Sequence, residues 1–159
     1  VMGLNQGMQP IAGYNFGAKL YGRVNKVLKL TIIYATAVTT FGFLVGMLVP
    51  DLVVGIFTSD AELTELSVTG LRITVMFFPI IGFQMVTSNF FQSIGMAGKA
   101  IFLSLTRQML ILLPCLLILP QFFGVAGVWY SMPVSDLLAS LIALVMLVCQ
   151  FRKFRTSPL

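Results

Sequence analysis

The chain contains 159 residues, of which 58% are apolar and 9% charged, with a mean hydropathy of +0.98 and a formal net charge of +5. An ordinary soluble domain carries roughly a quarter charged residues, so a water-soluble globule is excluded and lipid is the solvent for most of these side chains. There is no His, and Cys115 and Cys149 lie in apolar runs without Cys-x-x-Cys spacing. Zinc sites and disulfide scaffolds are therefore excluded, and neither a metal nor a cofactor is expected.

Residues 1–18 form an uncharged, moderately apolar run that reads as the tail of a helix already under way, so the sequence is expected to begin mid-protein. Leu30 to Pro50 gives 21 residues without a charge, the length a helix needs to cross about 30 Å of hydrocarbon. Ile73 to Gly98 adds 26 more, with Pro79 predicted to kink the helix. Gln108 to Ser135 is uncharged for 28 residues, but Pro120, Gly124 and Gly127 divide it. A third span is predicted near 103–123 and a fourth over 125–151, with a turn at Gly124. The predicted fold is an all-α polytopic transmembrane bundle of four complete spans (30–50, 73–98, 103–123, 125–151) plus the end of a fifth. That is few crossings for a carrier that must enclose a path, so part of something larger is expected.

The charges sort by side. Lys19, Arg23, Lys26 and Lys29 precede the first span, Lys99 and Arg107 lie between the second and third, and Arg152, Lys153 and Arg155 form the tail. Nine of ten cations thus fall on one side, whereas Asp51, Asp60, Glu62 and Glu65 occupy the link between spans one and two, with Arg72 nearby. The positive-inside rule places both ends, and a basic loop at 18–29, in the cytoplasm. The basic balance is a membrane-orientation signal, with no nucleic-acid partner implied.

Within the second span Gln84, Ser88 and Gln92 recur every four residues, with Thr87 and Asn89 alongside. On a helix this stacks amides and hydroxyls on one side, which makes Gln84, Ser88, Asn89 and Gln92 candidates for a cavity wall; interhelical hydrogen bonding is the structural alternative. For Thr31, Thr36, Thr39 and Thr40, back-bonding to their own helix is the preferred reading. Ser131, Ser135, Ala139 and Ala143 make a small-residue stripe read as helix packing, as are the Gly42/Gly46 and Gly13/Gly17 pairs. Asp136 is the one acidic residue well inside a span. It is a candidate for ion coupling, against a purely structural role near the outer interface.

The segment 7–24, Gly-Met-Gln-Pro-Ile-Ala-Gly-Tyr-Asn-Phe-Gly-Ala-Lys-Leu-Tyr-Gly-Arg-Val, resembles the multidrug and toxic compound extrusion family of cation-coupled antiporters. Residues 127–136, Gly-Val-Trp-Tyr-Ser-Met-Pro-Val-Ser-Asp, are similar to the start of that family's twelfth helix, and Phe91-Gln-Ser-Ile-Gly95 to the end of its tenth. The resemblance implies that residues 1–18 end the eighth helix, that the four spans are helices nine to twelve of the C-terminal lobe, and that an N-terminal lobe is missing. It marks Gln9, Pro10, Gly13, Tyr14, Asn15 and Gly17 as a cytoplasmic loop or hinge motif. It implies a transporter rather than an enzyme, in the plasma (inner) membrane, exporting small organic cations or drugs in exchange for Na⁺ or H⁺ by alternating access, with membrane lipids and the other lobe as partners. The family's coupling carboxylates lie on the first, seventh or tenth helix, and Ile73 to Gly98 holds Gln84 but no Asp or Glu. Two further readings stand beside this one. A lipid-linked precursor flippase of the same superfamily would show a cationic cluster in its cavity, and a truncated, non-transporting protein would act by helix packing alone.

Overall fold

The computed structural model describes residues 1–58 and 60–156 and leaves the side chains of Arg155 and Thr156 outside the description. The described residues form helices α1 (Met2–Gly17), α2 (Tyr21–Leu48), α3 (Pro50–Gly55), α4 (Ala61–Val75), α5 (Phe78–Ser93), α6 (Ala97–Leu105), a π segment (Thr106–Leu112), α7 (Leu113–Phe123) and α8 (Val125–Thr156). Tyr21–Leu48, Ala97–Phe123 and Val125–Phe154 are each long and apolar enough to cross a bilayer. The pair α4 and α5 supplies a fourth candidate span, bent by 49°. That bend follows from Pro79, which sits in the first turn of α5, where its missing N–H costs nothing. Its ring would collide with the carbonyl four residues earlier, and Val75 is where α4 stops.

Three expectations change. The basic stretch 18–29 is not a loop: only Ala18–Leu20 interrupt the helices, with Lys19 at φ 58°, and Tyr21 to Lys29 are the opening turns of α2. Lys and Arg are good helix formers, so a charge marks the edge of the hydrocarbon without ending the helix. Gln9, Pro10, Gly13, Tyr14, Asn15 and Gly17 likewise lie in the helix α1. The turn between the second and third spans falls at Ile94–Met96, where Gly95 adopts φ 77°. The third helix consequently begins at Ala97 rather than Leu103 and carries Arg107 about 15 Å along its axis. Arg107 is an in-span residue, not a cation of the connecting loop.

The bundle is organised around α5, which packs on α2, α1, α6 and α8. Met8, Leu28, Val86, Phe90, Phe91 and Leu103 form the centre of the core. α2 and α5 approach closely at Gly82, where a Cβ would lie 2.9 Å from the Ala35 carbonyl oxygen. Gly46 faces the Val75 side chain, and Gly13 lies against the backbone of Ser93, whereas Gly17 has no such neighbour. Thr31 and Thr39 donate to carbonyls one turn back, at 3.0 Å each, so these hydroxyls leave a smooth surface for packing. Gly124, at φ 59°, ends α7, and Gly127 lets α8 fold back against Leu119. The stripe Ser131, Ser135, Ala139 and Ala143 is at most 1% exposed.

Charge separates along the bundle. At one end Tyr21 stacks on Phe154 with Phe16 beside them, and Lys99 donates to Gln150 Oε1 at 2.5 Å. These contacts draw the α1–α2 turn, the α5–α6 turn and the C-terminal part of α8 together. The acidic segment lies at the other end of α2, where Asp60 caps α4 by accepting from the Leu63 N–H at 3.0 Å. Large apolar side chains such as Phe41, Leu110, Leu117 and Val145 remain exposed on the outside, as expected of helices solvated by lipid or by further helices.

Candidate functional site

α5 presents two unlike faces. Val86, Phe90 and Phe91 are fully buried in the core. The other side carries Gln84, Ser88, Asn89 and Gln92, which line a cleft closed by α6 and the π segment. The cleft has two lobes of about 180 and 370 Å³ that share Ser88, Asn89 and Ser104. The smaller is walled by Gln84, Met85, Ser88, Asn89, Ser104, Arg107 and Gln108. The larger runs past Gln92 towards Ala97 and Ala100. All four cavity candidates from the sequence thus border these adjoining lobes, with Gln92 the most open and Gln84 4% exposed.

Several of these groups are only lightly engaged. Ser88 Oγ donates to the Ala100 carbonyl at 3.3 Å. Asn89 Nδ2 donates to the Met85 carbonyl at 3.0 Å, while its Oδ1 accepts from Gln9 Nε2 at 3.4 Å. That last contact is the one link from the α1 motif to the cleft among the described residues. Asn15 Nδ2 donates to Ile11 O within α1, and Tyr14 is exposed. The side chains of Gln84, Ser104 and Gln108, which line the smaller lobe, make no hydrogen bond among the described residues. Polar groups unsatisfied by protein inside a span demand water or a ligand.

The floor of the cleft holds an ion pair. Arg107 Nε donates to Asp136 Oδ1 at 2.8 Å, with side-chain exposures of 28% and 4%. Asp136 belongs to α8, eleven residues after its start, so the pair ties the third and fourth spans deep in the bundle. This carboxylate is neither vacant nor at a helix end. The π segment that carries Arg107 and Gln108 is one wide turn inserted between α6 and α7, a local rewinding that turns side chains out of the regular register. Sequence reasoning missed Ser104, Arg107 and Gln108. Their spacing of three and four residues puts them on one helical face, a signal masked by the charge of Arg107, which reads as a loop cation.

The MatE family model matches residues 1–118. The chain belongs to the MatE family. Among curated relatives it is 27% identical over 144 residues to the multidrug export protein MepA of Staphylococcus aureus strain MSSA476, across 91% of this chain and 32% of that protein. Among solved structures it matches one called protein A at 37% identity and TM-score 0.90, over 98% of this chain and 35% of that one. It also matches the bent form of the Vibrio cholerae MATE transporter VcmN at 19% identity and TM-score 0.84, over 94% and 34%, a likeness of fold alone. The chain thus spans about a third of the length of the curated relatives it matches. The MatE assignment, the all-helical bundle and its apolar spans agree in describing a multi-pass membrane protein.

Proposed function

We propose that this chain is part of the C-terminal lobe of a multidrug efflux antiporter, which exports organic cations and other drugs in exchange for Na⁺ or H⁺ by alternating access. The observation that carries the proposal is the polar cleft of Gln84, Ser88, Asn89 and Gln92 inside an otherwise apolar bundle. The name of the MepA relative, a multidrug export protein, supports the same reading. Alternating access needs a wetted wall that a second lobe can cover from either side, and this cleft supplies one. In the proposed arrangement the other lobe faces the cleft and both ends of the segment lie on the cytoplasmic side of the plasma (inner) membrane. The α1 motif from Gln9 to Gly17, with the Ala18–Leu20 break, serves as the hinge. Asp136 enters as a carboxylate already held by Arg107. To take the coupling ion it would have to release the guanidinium, so the main coupling group is assigned to the remainder of the transporter.

The test is dye accumulation. Cells expressing the intact transporter should hold less of a fluorescent organic cation when an inward Na⁺ or H⁺ gradient is imposed. Unchanged accumulation under both gradients would overturn the proposal.

A further inference from the structure

We propose that Arg107 is a carboxylate-recognition group. Held by Asp136, its guanidinium makes the smaller lobe of the cleft a subsite for the carboxylate of a zwitterionic organic solute, with the cationic body of that solute lying in the larger lobe. The inference deepens the exporter reading, on which it rests for the idea that solutes enter the cleft at all.

Four features carry it. First, Arg107 meets Asp136 through Nε alone, and its two amino nitrogens make no hydrogen bond among the described residues. Guanidinium–carboxylate pairs favour two parallel bonds, so a single-point contact leaves a charged fork of donors unspent. Second, Arg107 is part of the cleft wall and its side chain remains 28% exposed, while that of its anchor Asp136 is 4% exposed. The buried carboxylate thereby anchors an arginine that borders the cavity. Third, the rest of the wall suits an anionic oxygen. Gln84, Ser104 and Gln108 offer amide and hydroxyl donors, and no Asp or Glu lines either lobe among the described residues. Fourth, Asp136 already balances Arg107, so an incoming zwitterion neither adds nor removes net charge in a region where an unbalanced charge is costly. The lobe of about 180 Å³ is the size of a head group, and the adjoining 370 Å³ has room for an attached ring. Asp136 is a positioning residue in this scheme.

The probes are a rhodamine with a free carboxylate and its methyl ester, which differ only at that group. Binding to the purified full-length transporter in phosphatidylcholine nanodiscs is read by anisotropy, and transport by dye efflux from proteoliposomes. The variant Arg107→Gln/Asp136→Asn removes both charges together, so no lone charge is left buried. The acid should bind at least about tenfold more weakly to this variant, the loss expected for one charge-assisted contact, while the ester stays within about twofold and certifies the fold. Arg107→Lys, which keeps the charge and loses the fork, should fall between. Equal effects on acid and ester would overturn the inference. So would a preference for the acid that phosphatidylglycerol or excess inorganic phosphate abolishes, because the guanidinium would then serve a lipid head group or free phosphate. If binding discriminates as expected but neither probe is transported under either gradient, the exporter reading fails and the subsite stands.

Discussion

Two stripes with the same four-residue spacing do opposite things. On α8, Ser131, Ser135, Ala139 and Ala143 are at most 1% exposed. Both hydroxyls turn back on their own helix, Ser131 to the Gly127 carbonyl and Ser135 to the Met132 carbonyl at 2.8 Å each. On α5, Gln84, Ser88 and Gln92 border an open cleft. The difference lies in where the polar groups find their partners. A hydroxyl is short enough to satisfy itself against the preceding turn and present a flat face to a neighbouring backbone. The Gln84 amide makes no such bond among the described residues, although Gln121 shows that a glutamine can reach the carbonyl one turn back, at 3.0 Å, and is left to meet what enters the seam.

The sharpest way to break this contrast is at the ion pair that floors the cleft. Asp136→Ala should destabilise the transporter by about 3–5 kcal/mol, because Arg107 stays charged with nothing to meet it, whereas the doubly neutral variant should melt close to the parent. Detergent-resistant melting followed by Trp129 fluorescence would check both, and equal losses in the two would remove the pair's special status. Next in size, Ser135→Leu on the dry stripe should cost about 1–3 kcal/mol by overpacking and should lower membrane abundance and dye export together. Loss of export at full abundance would instead give the α8 stripe a functional role. On the wet stripe, Gln84→Leu with Ser88→Ala should reduce export severalfold while leaving the melting midpoint within the range of an ordinary surface change, about 0.5 kcal/mol. A parallel fall in abundance would turn that stripe into packing as well. The smallest effect on export belongs to a control remote from both: Asp60→Ala removes the α4 cap and should cost about 0.5–2 kcal/mol. Hydrogen exchange should rise in the first turn of α4 with export unchanged.

Much of the site was legible, and the parts that were not share a cause. The amide-rich face of the second span can be read because helical period alone places Gln84, Ser88 and Gln92 together. Arg107 and Gln108 fall three and four residues after Ser104, yet the charge on Arg107 suggests a loop, since an arginine within a span is costly unless paired. Its partner is 29 residues away, and no local pattern announces such a pair. The basic stretch at 18–29 misleads for the converse reason: charge reports where the hydrocarbon stops, and a helix can continue past that point.

Sequence by itself determined the solvent, the all-helical class, the number of candidate spans, the break before Pro79, the turn at Gly124 and the segregation of cations from acids. Each depends on composition or on a conformational limit of one or two residues. Tertiary structure alone decided which polar stripe is dry and which is wet, where Arg107 spends its charge, and that the turn at Gly95 starts the third helix early enough for the π segment to pack against α8. Those outcomes depend on distances between side chains far apart along the chain, which only the packing of α5, the π segment and α8 sets.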